Sequence, residues 1–217
     1  MIGFQTKERL TAVALGMGVA VPLLYYGVQV AAAPFYPDFS VLSTTASELG
    51  SDRSTFPPTF NFGVIFVAVA TLVASFGFLR ALRRLGVNPI LAWLTFLSIA
   101  ANGMSSLWAG LFPLPDPRHG GHPVFMIGML LLPFLLIAAF WKLSDARLLR
   151  AYFVATIILL VAMIPLISGM SGLDTHAYRG LLQRVFALTV FPPIGVGAYV
   201  LARRSQSCLE NSLVGEA

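Results

Sequence analysis

The sequence predicts an all-α, polytopic membrane protein: a bundle of six transmembrane helices with a short interfacial helix in its first outer loop. Two observations carry this. Six apolar runs of about 20 residues punctuate the 217-residue chain, and about 20 residues of helix are needed to cross ~30 Å of hydrocarbon. Only 11% of residues are charged against 57% hydrophobic, where a soluble domain carries about 25% charged. Helices satisfy their own backbone hydrogen bonds in lipid, and no ten-residue alternating strands of a barrel appear. The expected spans are 10–33, 59–79, 89–112, 123–142, 150–169 and 181–202. The connections between them are too short for a soluble domain, so residues 1–217 form one membrane domain.

The first run, 10–33, follows Lys7 and Arg9 and ends in Ala31-Ala32-Ala33. That pattern imitates a signal peptide, but the run exceeds the ~7–15 residues of such a segment, and Pro34 stands where a mature chain would begin. It is expected to remain as the first helix. The connection from Pro34 to Phe60 is the only sizeable loop. Within it Thr45 and Glu48 have capping-box spacing, and Gly50 suits the end of a short helical turn. Glu48 is therefore either a cap or a functional carboxylate.

The second helix opens with Asn61. The third carries Ser98, Asn102, Ser105 and Ser106 at i, i+4, i+7 and i+8, which share one face. Such a stripe either packs against a neighbouring helix through small polar residues or lines a polar cavity opening outward. The connection to the fourth helix, Leu111 to Pro123, is rich in turn formers. His122 stands at the mouth of the fourth helix, with Pro123 as its first residue. No metal site is expected. The one arrangement that would suit zinc joins His119, His122 and His176, yet His-Gly-Gly-His is not a helical spacing. After the fifth helix, Gly169-Met170-Ser171-Gly172 has the form of a rhomboid-protease serine motif. The sixth helix offers no partner histidine, so a flexible turn is the better reading. The sixth helix begins Gly180-Leu181-Leu182-Gln183-Arg184. Arg184 sits roughly 6 Å inside it, either snorkelling to the interface or serving a site with Gln183 beside it. An anionic partner is expected for it: Glu48 or a bound headgroup.

The basic residues are unevenly divided. Lys7, Arg9, Arg80, Arg83, Arg84, Lys142, Arg147, Arg150, Arg203 and Arg204 lie on one side, and Arg53, Arg118, Arg179 and Arg184 on the other. Both termini are thus expected in the cytoplasm of a multi-pass cell-membrane protein. The net charge of +5 reflects that topology and favours anionic lipid over nucleic acid as a partner. The lone Cys208 permits no internal disulfide and is expected to be a free tail thiol.

Several outer-face elements, taken in order, resemble a bacterial and archaeal membrane family catalogued as domain of unknown function 998. They are Ser47-Glu48-Leu49-Gly50, Gly110-Leu111-Phe112-Pro113 with Asp116, His122, and Gly180-Leu181-Leu182-Gln183-Arg184. The extra Pro115 and Pro117 depart from the family's turn. The resemblance implies six helices and one outer cluster containing Glu48, His122 and Arg184, and it brings no activity with it.

The expected function is binding of a lipid headgroup or small amphiphile in an outward-facing polar pocket lined by Glu48, Asn61, Asn102, Ser105, Ser106, His122, Gln183 and Arg184. No cofactor is expected, since no phosphate-binding glycine loop occurs. A lipid-modifying enzyme (hydrolase, transferase or isomerase) using Glu48, His122 and Arg184 is the principal alternative. An assembly subunit contacting another membrane protein, or a small transporter, are the others.

Overall fold

The computed structural model describes residues 2–141, 147–172 and 174–214, with side chains described over 6–141, 147–172 and 174–205. Lys142 and the side chain of Cys208 lie outside these ranges. The helices are α1 (Ile2–Ala32), α2 (Pro58–Arg84), α3 (Pro89–Leu111), α4 (Pro123–Phe140), α5 (Arg147–Ile167), α6 (Arg179–Leu188) and α7 (Phe191–Val214). No strand occurs among the described residues. Six spans are long and apolar enough to cross a membrane, the sixth made of α6 and α7 together. The chain is a multi-pass membrane protein.

Local chemistry explains the boundaries. Pro58, Pro89 and Pro123 open α2, α3 and α4 in the first turn, where a missing N–H costs nothing. The Asn88 side chain caps α3 by accepting from the N–H groups of Ile90 and Leu91, and Gly86, at φ +72°, takes the left-handed position after α2. The sixth span, expected over 181–202, is present but made of two helices. It is broken at Thr189 and Val190, because Pro192 and Pro193 supply no N–H to the preceding turn. Thr189 Oγ1 donates to Phe186 O at 2.7 Å.

α2 runs through the middle of the bundle, packed along both α1 and α3. Small residues bring the backbones together: a Cβ on Gly18 would stand 2.8 Å from that of Ala198, and one on Gly103 would stand 2.8 Å from Leu72 Cγ. Lipid supplies no hydrophobic drive between helices, so such close approach is what dispersion requires. Fully buried Leu15, Phe78, Phe140, Phe153 and Ile194 fill the main core. α5 is the least enclosed span. It packs on α4 and α6, and the three helices enclose a cavity whose walls include Met126, Ile164 and Leu182.

The connection over 33–57 folds over one end of the bundle. It contains short 3-10 helices at Ala33–Phe35 and Ser47–Gly50, the second where a short helix ending at Gly50 was expected. Its Ala46 and Leu49 are buried against Ala32, Phe60 and Val64, and Asn61 Nδ2 donates to Gly50 O at 3.0 Å.

Candidate functional site

Residues 41–48 are clamped onto α6. The Leu181 N–H donates to Leu42 O at 3.0 Å. The Ala46 N–H donates to Gln183 Oε1 at 2.6 Å. Arg184 Nη1 donates to Val41 O at 3.0 Å and Thr44 O at 2.7 Å, with its guanidinium 5.6 Å from the centre of the Phe39 ring. Behind it, Tyr26 OH on α1 donates to Arg184 O at 3.0 Å. Gly180 makes this docking possible, because a Cβ there would sit 2.8 Å from the Thr44 carbonyl carbon.

Glu48 holds two positions at once. Its Oε2 accepts from Thr45 N at 2.7 Å and Thr45 Oγ1 at 2.8 Å, while Thr45 Oγ1 accepts from Glu48 N at 3.3 Å. This is the reciprocal pairing of a capping box. Its Oε1 accepts from Arg179 Nη2 at 2.7 Å, and Arg179 Nε donates to Ser43 O at 2.9 Å. The cation on Glu48 is thus Arg179, where Arg184 was expected. The first turn of α6 delivers Arg179 to the carboxylate, while Arg184, five residues on, faces the backbone of 41–44. Sequence reasoning missed this because it started the sixth helix after Gly180 and treated Arg179 as loop.

Two adjoining cavities open beside the clamp. The smaller, about 290 Å³, lies among α1, α2, α3, α6 and the loop. Ser47, Ser105, Ser106, His119 and Gln183 give it polar walls, and Tyr25, Phe60 and Phe186 apolar ones. The larger, about 730 Å³, lies among α4, α5 and α6 and is mostly apolar, with Met126, Leu130, Ile164, Ile167 and Leu182 in its walls and His122 and Arg179 also lining it. Ser105, Gly120, Met129, Gln183 and Phe186 border both. The structure therefore brings Ser105, Ser106 and Gln183 to one cavity and His122 to the other. Glu48, Asn61 and Arg184 hold the loop whose Ala46 and Ser47 border the smaller one.

The whole of this end falls within one recognised family. The family described as "Protein of unknown function (DUF998)" matches residues 19–199, well over half of the chain. The chain belongs to this family. No curated protein and no solved structure matches it.

In this DUF998 chain the three histidines do not form a metal site. Among the described residues no three His, Cys, Asp or Glu side chains are grouped to hold a metal ion. Two of the rings have local partners. His119 Nδ1 is 2.8 Å from Phe112 O. His122 Nδ1 accepts from Val124 N at 3.3 Å and caps α4. The His176 backbone N–H donates to Asp174 Oδ1 at 3.0 Å.

The α3 stripe divides its duties. Ser98 Oγ donates to Gly128 O across to α4, as small polar residues do between membrane helices. Asn102, one turn further along, is fully buried, and neither its Oδ1 nor its Nδ2 has a partner among the described residues. Ser105 and Ser106, further along, line the smaller cavity, which Asn102 does not reach.

At the α3–α4 turn, Arg118 Nε and Nη2 donate to Asp116 Oδ1 and Oδ2 at 3.0 and 2.7 Å. These bonds and the Arg118 backbone N–H lower the Asp116 carboxyl to about 2. A depressed carboxyl stabilises the fold above its ordinary value, and that contribution fades as pH falls toward 2. The turn is thus expected to keep its geometry from neutral pH down to about pH 4. Carboxyl-carbon NMR of this residue in nanodiscs checks it: titration at an ordinary value near 3.9 would show the pairing absent.

Proposed function

We propose that this protein binds a small amphiphile at the loop end of the bundle, the apolar part in the larger cavity and the polar end in the smaller one. The observation that supports this most is the shared border. A large apolar chamber and a smaller compartment that sets Ser47, Ser106 and His119 in an otherwise mostly apolar wall meet at Ser105, Met129, Gln183 and Phe186, an arrangement suited to a molecule with two chemically different ends. Their volumes are of the order of ligand pockets, ~300–1,000 Å³. The bias of basic residues to the opposite side supports a reading in which this end faces away from the cytoplasm, toward the outer leaflet.

The test is saturable binding of a tritiated ten-carbon alkyl amphiphile to protein in nanodiscs. Met129→Trp and Leu182→Trp, which fill the chamber, are each expected to weaken binding at least tenfold while leaving the unfolding temperature near that of the parent. Unchanged binding in both, with the fold intact, would remove the chamber from the reading.

A further inference from the structure

We infer that the polar compartment is built for an uncharged, hydroxyl-bearing headgroup, such as a sugar or polyol, in preference to an anion. This deepens the amphiphile reading and rests on it.

The charged side chains at this end stand outside the compartment. Arg179 is held by Glu48 Oε1 and Ser43 O. Arg184 donates to two backbone carbonyls through Nη1, and its buried Nη2 has no partner among the described residues. Neither arginine nor Glu48 lines the smaller compartment. An anionic headgroup placed there would be desolvated with no cation among the groups that line it, which is costly in a low-dielectric site.

What does line the compartment is neutral and two-sided. Ser47, Ser105 and Ser106 each offer a donor and an acceptor. Gln183 spends its Oε1 on the Ala46 N–H at 2.6 Å, while its Nε2 makes only a long 3.5 Å approach to Ser47 Oγ, leaving amide hydrogens for a ligand. His119 is fixed more tightly. A backbone carbonyl can only accept, so Nδ1 at 2.8 Å from Phe112 O must carry the proton. In the neutral ring Nε2 is then an acceptor, and it is the ring nitrogen left for a ligand. Hydroxyl groups, each both donor and acceptor, complement this set, and a carboxylate or sulfate, which only accepts, leaves His119 Nε2 facing a second acceptor.

The experiment compares three probes of equal chain length as competitors of tritiated decyl glucoside on nanodisc-embedded protein: decyl glucoside, decylphosphocholine and decyl sulfate. Decyl glucoside is expected to bind at least tenfold more tightly than either of the others. His119→Phe and the pair Ser105→Ala with Ser106→Ala are expected to erase that preference while retaining affinity for the alkyl chain. Decyl sulfate binding as well as or better than decyl glucoside would overturn the inference and leave the amphiphile reading standing, as would a glucoside preference that survives both variants. Saturable binding of none of the three would overturn both.

Discussion

Replacing Gly180 by valine is expected to cause the largest loss of stability of any single change at the loop end. A Cβ at this position would stand 2.8 Å from the Thr44 carbonyl carbon and 2.9 Å from Arg184 Nη1. The first obstacle is backbone and cannot rotate away. Either α6 retreats from residues 41–48 or the loop lifts. In both cases the bonds from Leu181 N to Leu42 O and from Arg184 to Thr44 O lengthen together. Overpacking alone costs about 1–3 kcal/mol, and the coupled loss of hydrogen bonds adds to it. Alanine should show most of the effect, since the clash begins at Cβ. Gly27→Ala on α1 is the control, because nothing lies within 4 Å of a Cβ there. Reversible unfolding in lipid or mild detergent measures all three. A Gly180→Val protein as stable as the Gly27→Ala protein would show that the loop is not clamped against α6.

The helices were legible in the sequence because their signal is redundant. Each span repeats apolar residues over about 20 positions, and prolines at 58, 89 and 123 punctuate three of the starts. The break in the sixth span was legible only in part. Pro192 and Pro193 announce a disturbance, but a helix that bends and one that stops share that signature. The site was harder to read, for a physical reason. Sequence places residues along an axis and on a face, and it says little about which neighbour a long side chain reaches. Arg179 and Arg184 both sit at the start of α6. Only the docking of residues 41–48 decides that the first takes Glu48 and the second takes carbonyls. The α3 stripe shows the same limit. Its periodicity put Ser98, Asn102, Ser105 and Ser106 on one face, yet Ser98 bonds to Gly128 O and Asn102 has no partner among the described residues. His119 lies in an irregular turn, where no periodicity bears on orientation. Its place at the smaller cavity follows from a bond to Phe112 O that spacing does not encode.

The second large effect is expected at Arg184. Its Nη1 reaches Val41 O and Thr44 O, two carbonyls that loop residues leave without a helical or strand partner. Hydrogen bonds from a charged donor contribute about 1.5–3 kcal/mol each. Arg184→Gln, which is shorter and uncharged, should therefore cost on the order of 3 kcal/mol. Arg184→Lys should fall between, because an ammonium on a flexible stem can serve a carbonyl but lacks the planar spread that reaches two. A side chain that only snorkelled would tolerate both changes. Arg179→Gln supplies the comparison. Its partner Glu48 is a full charge, yet the Arg179 side chain is 42% exposed, and exposed ion pairs contribute about 0–1 kcal/mol. The neutral-looking contact should thus outweigh the visible salt bridge, because the buried Thr44 leaves its carbonyl little water to fall back on. Thermal unfolding in nanodiscs orders the three variants. An Arg179→Gln protein less stable than Arg184→Gln would reverse the assignment and make the Glu48 pair, not the carbonyl contacts, the main restraint on the loop.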